Sequence, residues 1–226
     1  MVVFFYLEGN MKRKLFDIGL YFIIDGMYTK KFEYYTDMAV HNHVSIIQYR
    51  DKDAAIPDMI ENSKKMKAIT KNTSTTLIIN DILEVAEKSD ADGIHVGQSD
   101  DHYTSVKNHF PDKIIGVSTM TLEESLEAQN LGADYLGVGP VFVTQTKPDT
   151  PPPIGLKRLK EIVEFTNIPI VAIGGINKDN LVSVLETGVH GVAIISAILT
   201  ALNPEKEIQA IQQIIAHYNE KRGKHE

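Results

Sequence analysis

No cysteine occurs in the 226 residues, which removes a disulfide scaffold, a thiolate nucleophile, a cysteine-ligated zinc and an iron–sulfur cluster from consideration. An excess of positive charge is missing as well. Lysine and arginine total 23 against 30 aspartates and glutamates, giving a formal charge of -7. The global electrostatic footprint of a nucleic-acid binder is therefore absent, although a local basic cluster for a small anion stays open. No apolar run approaches the roughly 20 residues needed to span a bilayer. The opening run Val2 to Leu7 is short, is broken by Glu8, and precedes Lys12, Arg13 and Lys14, the reverse of the order in a signal peptide. The expectation is a cytoplasmic protein with neither membrane nor nucleic-acid partners.

What is present is an ordinary globular balance, 43% hydrophobic and 23% charged, enough for a sizeable core. Short runs rich in Ile and Val recur every roughly 20 to 35 residues, each followed by a polar, helix-compatible stretch; that alternation argues for βα units and a parallel sheet. Strands are expected at Leu20 to Asp25, Ser45 to Arg50, Thr76 to Asp81, Gly93 to Gly97, Ile114 to Ser118, Tyr135 to Val141, Pro169 to Gly174 and Gly191 to Ser196. Between them, Pro57 to Thr70 places Met59, Ile60, Met66 and Ile69 on one helical face, and Thr121 with Glu124 forms a capping box ahead of Leu122 to Leu131. The last helix is expected from Pro204 to Tyr218. Repeats of this size and number match a single-domain α/β protein, a (β/α)8 TIM barrel. An open doubly wound sheet is the alternative, but the units are evenly sized and no Gly-x-Gly-x-x-Gly follows the first strand. Residues 1–14 read as an N-terminal extension, with Met11 as a candidate start, and residues 15–226 as the barrel.

In such a barrel the C-terminal strand ends carry the chemistry. Gln48, Arg50 and Lys52 alternate at the end of the second strand and share a face if the strand reaches that far. Two converging cations suit a phosphate or diphosphate; the alternative is pairing with Asp51, Asp53 or a nearby helix. Asn80 and Asp81 end the third strand, and Asp100 and Asp101 follow the fourth. Oxygen-only donors there suit Mg²⁺, which takes one or two carboxylates plus substrate phosphates, while helix N-capping is the plainer role. His95, within an apolar strand, reads as a satisfied core histidine. Gly137 to Lys147 forms a long loop with hydroxyls at Thr144 and Thr146 and an ammonium at Lys147. Gly174 and Gly175 after the seventh strand, with Ile195 and Ser196 closing the eighth, stand where many barrels hold phosphate, a tight turn being the alternative.

The segments Gln48-Tyr-Arg-Asp-Lys52, Ile78-Ile-Asn-Asp81, Ala91 to Asp100, Gly116-Val-Ser-Thr119, Gly137 to Lys147, Ala172-Ile-Gly-Gly-Ile176 and Ile195-Ser196 together resemble thiamine phosphate synthase, in that family's order, over roughly Leu20 to Leu199. The resemblance implies a transferase that joins hydroxymethylpyrimidine diphosphate to thiazole phosphate and releases pyrophosphate with Mg²⁺. It implies that Gln48, Arg50, Lys52, Asn80 and Lys147 hold the pyrimidine diphosphate and that Asp81 and Asp100 hold Mg²⁺. Ser118 would contact the pyrimidine or the departing pyrophosphate, Thr144 and Thr146 the thiazole side, and Gly175, Ile195 and Ser196 the thiazole phosphate. Arg50, Lys52, Ser118 and Lys147 are the residues to which it gives catalytic roles. There are departures: Tyr49 and Asp51 are mild replacements of commoner neighbours, Val143 replaces a small residue, Pro148 to Pro153 is an unusual Pro-rich continuation of the loop, and His41, Asn42 and His43 replace a glycine-rich entry to the second strand. Competing readings are a thiazole tautomerase on the same barrel and a non-catalytic phosphate-ligand sensor. A homo-oligomer is compatible with all of them.

Overall fold

A computed structural model describes residues 17–97, 106–107, 109–144, 146 and 151–222. The segment 1–14 read as an extension lies outside these residues. Eight parallel strands close into a barrel in sequence order: β1 Gly19–Asp25, β2 Ile46–Arg50, β3 Thr76–Asn80, β4 Gly93–Val96, β5 Ile114–Thr119, β6 Tyr135–Val138, β7 Ile170–Ile173 and β8 Gly191–Ile194. Closure comes from β1 pairing β8, with Gly19 opposite Gly191 and Phe22 opposite Ile194. The described helices are α1 Phe32–His41, α2 Ile56–Thr70, α3 Leu83–Lys88, α4 Leu122–Asn130, α5 Gly155–Phe165, α6 Leu181–Leu185, α7 Ser196–Leu199 and α8 Pro204–Arg222.

The strands are apolar on both faces because each faces two cores. Tyr21, Ile23, Ile46, Ile78, Tyr135 and Val171 point inward and pack within the barrel. Leu20, Phe22, Ile24, Ile47, Ile79 and Ile94 point outward to the helix layer. Period-2 alternation therefore places Tyr21, Ile23 and Asp25 on the inner face of β1, and Gln48 and Arg50 on that of β2.

Several boundaries differ from expectation. β6 stops at Val138 rather than Val141, since Pro140 has no N–H for a ladder. β2 stops at Arg50, so Lys52 comes from the following loop and not from the strand. The buried stripe of α2 is Met59, Ser63, Met66 and Thr70, a true i, i+4, i+7, i+11 row, which leaves Ile60 and Ile69 on its flanks. α8 runs on to Arg222, beyond the expected Tyr218. The Thr121–Glu124 capping box forms as expected, with Glu124 N–H donating to Thr121 Oγ1 at 3.2 Å.

At the N-terminal end of the barrel, side chains from the turns before three strands cap the neighbouring strand. Leu77 N–H donates to Asp92 Oδ2 at 2.9 Å, Ile115 N–H to Asp134 Oδ2 at 3.0 Å, and Ile170 N–H to His190 Nδ1 at 3.0 Å. No described helix is long and apolar enough to cross a membrane.

Candidate functional site

The C-terminal strand ends open into a cleft of about 900 Å³. Its first wall is cationic. Arg50 ends β2 with its side chain 7% exposed and is paired with Asp25, 1% exposed, which ends β1 directly opposite it. Asp25 also accepts Met27 N–H at 3.0 Å, and Gly26 N–H donates to Arg50 O at 2.7 Å, so both backbones lock the pair in place. The guanidinium keeps one buried N–H, Nε, with no partner among the described residues. A buried guanidinium that is half satisfied by a carboxylate is prepared for a second anion. Lys52 lines the same cleft. Asp51, one of the alternative partners drawn from the sequence, binds Lys30 at 2.6 Å, and Arg50 pairs with Asp25 instead.

Beside Arg50, on the adjoining strand, Asn80 ends β3 and Asp81 follows it. Asp81 adopts φ 61°, its N–H donates to His95 O at 2.8 Å, and its Oδ2 accepts Asn80 Nδ2 at 2.8 Å. The N-cap position of α3 is Ile82 and not Asp81. Both side chains line the cleft. Asp100, the second carboxylate expected beside Asp81, lies outside the described residues, as does Lys147. No group of three or more His, Asp or Glu side chains arranged for a metal occurs among the described residues.

The third wall combines loops. Thr144 Oγ1 donates to Thr146 Oγ1 at 3.2 Å, and Tyr28 reaches Thr146 Oγ1 at 3.5 Å, so the two threonines sit side by side on the cleft. Gly174 and Gly175 have φ of 101° and 67°, and a Cβ on Gly175 would lie 2.6 Å from Val143 O. Only glycine lets the β6 loop close down over that turn. Gly175, Ile195 and Ser196 face the same space, so every described residue of the expected substrate set is brought into one cleft.

The floor is a buried polar chain across the barrel. Gln48 Nε2 donates to Tyr21 Oη at 2.7 Å, and Tyr21 Oη lies 3.0 Å from Tyr135 Oη. Tyr135 Oη lies 3.0 Å from His95 Nδ1, and His95 Nε2 lies 2.8 Å from Ser118 Oγ. Burial raises both phenols well above their ordinary range, so both stay protonated. His95 is thus a satisfied interior histidine, as expected, and a cleft residue as well.

Sequence reasoning missed Asp25, Tyr21 and Tyr135. Asp25 was open to the rule that singled out Asp81, an acid at a barrel strand's C-terminal end. The tyrosines pass for core residues in any apolar pattern. The His41, Asn42 and His43 segment is a surface connection, with both histidines exposed.

A family model described as thiamine monophosphate synthase matches residues 20–198. The thiamine-phosphate synthase of Archaeoglobus fulgidus is 40% identical over 201 residues, covering 89% of this chain and 95% of that protein. Its counterpart from Clostridium botulinum strain Loch Maree is 42% identical over 184 residues, 80% of this chain and 90% of that protein. The solved thiamine phosphate pyrophosphorylase of Pyrococcus furiosus superposes with a TM-score of 0.83 at 38% identity, covering 92% of this chain and 99% of that one.

Proposed function

The chain belongs to the thiamine monophosphate synthase family, a family of transferases, and from that premise we propose how its cleft makes thiamine phosphate. The substrates are a hydroxymethylpyrimidine diphosphate and a thiazole phosphate. The bond from the pyrimidine methylene to the diphosphate oxygen breaks, with its electron pair leaving on pyrophosphate. The thiazole nitrogen lone pair then forms the new C–N bond. No protein nucleophile or general base is needed, because the electron-rich aminopyrimidine carries the positive charge that develops at the methylene.

The observation that supports this reading best is Arg50, a buried guanidinium held by Asp25, with Nε unpartnered among the described residues, lining one cleft with Lys52 and with Asn80 and Asp81 of the adjoining strand end. Preorganised cations of this kind act on charge that builds up on a leaving group. Lys147 is assigned to the same diphosphate. Ser118 and Gln48 stand at the floor for the pyrimidine, Thr144 and Thr146 on the thiazole side, and Gly175, Ile195 and Ser196 at the thiazole phosphate. Anchoring the thiazole by its phosphate aligns its nitrogen with the methylene and replaces an encounter between free molecules by a local step.

The donors at β3 are all oxygens, and the Asp81 carboxylate faces the cleft, which fits Mg²⁺ held by Asp81 and Asp100 together with substrate phosphates. When bound, the ion supplies positive charge to the departing pyrophosphate. The thiazole tautomerase reading leaves the paired Arg50 and the Asn80–Asp81 unit without a task.

Ligand titrations test the assignment. Arg50→Ala should weaken inorganic pyrophosphate binding by at least about tenfold, the loss of one charge-assisted pair, and leave thiazole phosphate binding within about twofold. Gly175→Val should do the reverse. Equal losses of both ligands in both variants would refute the division of the cleft.

A further inference from the structure

The orientation of the Gln48 amide, with Nε2 toward Tyr21 Oη, gives the polar chain on the barrel floor a direction. Each phenol carries one hydrogen and has two hydrogen-bond neighbours in the chain. Tyr21 accepts from Gln48, so its own hydrogen goes to Tyr135. Tyr135 accepts from Tyr21, so its hydrogen goes to His95 Nδ1. The imidazole is then the Nε2–H form, and that hydrogen goes to Ser118 Oγ. A doubly protonated imidazole does not fit, because Tyr135 would then face two donors and its own buried hydrogen would have no acceptor. At the two ends, Gln48 Oε1 takes no hydrogen bond from any described residue, and the Ser118 hydroxyl hydrogen is released toward the cleft. Both residues line the cleft.

Two strands are emptied to house this chain. A Cβ on Gly116 would lie 2.1 Å from the Tyr135 ring, and a Cβ on Gly137 would lie 2.8 Å from His95 Cε1. Any other residue at Gly116 displaces the phenol that joins the two halves.

We propose that the chain Gln48–Tyr21–Tyr135–His95–Ser118 is a polarity device that presents an acceptor at Gln48 and a donor at Ser118, and thereby selects a pyrimidine bearing an amino group over its oxo counterpart. Run in reverse, the same five residues would offer N–H groups at Gln48 and a lone pair at Ser118, the complement of an oxo ring. Tyr21, Tyr135 and His95 are positioning residues in this account: they set the hydrogen-bonding sense of the two end residues. The selectivity rests on the pyrimidine reading given above, whereas the direction of the chain does not.

The test begins with the full-length protein, ¹⁵N-labelled, in long-range ¹H–¹⁵N correlation spectra, with the His95 signals identified by their loss in His95→Gln. The expected result is the Nε2–H tautomer; the Nδ1–H tautomer or an imidazolium would overturn the proposal. Tyr135→Phe cuts the chain at its centre. It should reduce the preference for the aminopyrimidine diphosphate over the oxo analogue by about tenfold, the worth of one hydrogen bond, with inorganic pyrophosphate affinity within about twofold of the parent. A merely structural role would weaken all three ligands together. Tyr21→Phe cuts one link away and serves if Tyr135→Phe does not fold. Retention of the parent's preference in a folded chain-cutting variant overturns the proposal. A parent protein with the Nε2–H tautomer that binds neither pyrimidine supports the direction of the chain and refutes only the ligand reading.

Discussion

At the N-terminal end of the barrel, Asp92, Asp134 and His190 each turn an acceptor onto the amide of a neighbouring strand; at the C-terminal end, Arg50 Nε and Asp51 Oδ1 are buried with no partner among the described residues. The residue types are similar and the use is opposite. A polar group satisfied by its own chain must give up that bond to receive a ligand, so the N-terminal end can only stabilise. A buried group left unpaired costs roughly 1–3 kcal/mol and stays ready to bind. Among the described residues stability and chemistry are thus separated along the barrel axis, and Asp25 joins the two by holding Arg50 in place.

Substitutions at either end should break this contrast in opposite ways. The largest effect is expected at Asp81. Asp81→Ala should lower kcat by roughly two to three orders of magnitude, the size seen for one preorganised electrostatic contact, with a urea unfolding free energy only about 1 kcal/mol below the parent, the cost of placing Ala at φ 61°. Were Asp81 only a structural cap, the variant would lose stability and keep its rate. Asp134→Ala at the other end should strip the Ile115 N–H of its acceptor and cost about 1–3 kcal/mol of stability, with kcat unchanged; a lost rate in a folded protein would contradict the separation. Thr121→Ala, in the loop that follows β5 at the C-terminal end, removes the α4 capping box and should cost about 1 kcal/mol in the same unfolding assay.

The smallest effect concerns pH. Burial first, and the charge of Arg222 second, hold the His190 imidazole below its ordinary value of 6.5. The unfolded chain therefore takes up the proton before the folded one as the pH drops. The stabilisation from neutral His190 is complete above about pH 6.5 and is lost as the pH falls through the lower folded value. In parallel unfolding experiments, the stability difference between parent and His190→Gln should shrink from pH 7.5 toward pH 5. A difference that is constant over that interval would show that His190 does not titrate with folding.

The barrel was legible because its signal is repetitive. Eight Ile- and Val-rich runs, separated by amphipathic stretches, leave few alternatives to parallel βα units, and all eight strands occur. Their C-terminal limits were less legible. Expected ends such as Val141, Gly174 and Ser196 overshoot the observed Val138, Ile173 and Ile194, because the backbone leaves the ladder before the residue pattern changes: Pro140 has no N–H to donate, Gly174 turns at φ 101° and Ser196 already opens α7. Lys52 reaches the site from the loop after β2, whose pairing stops at Arg50.

Within the cleft, the places of Arg50, Lys52, Asp81 and Gly175 could be read in advance, because charged residues and glycines at strand ends stand out in an apolar repeat. Partnerships could not. The Asp25–Arg50 pair depends on the β1–β2 register, and Tyr21 meets Tyr135 across the barrel interior, 114 positions along the chain. A phenol scores as apolar in any periodicity, so the polar floor becomes visible only when the strands are closed into a ring.

The central claim is that the C-terminal cleft joins two phosphorylated heterocycles and expels pyrophosphate. Mixing purified protein with the aminopyrimidine diphosphate, the thiazole phosphate and Mg²⁺, and following pyrophosphate and thiamine phosphate together, tests it most directly. The account predicts one pyrophosphate for each thiamine phosphate, strict dependence on both substrates, and loss of turnover in excess chelator. Release of pyrophosphate without thiamine phosphate, full activity in chelator, or no reaction from folded protein would contradict it.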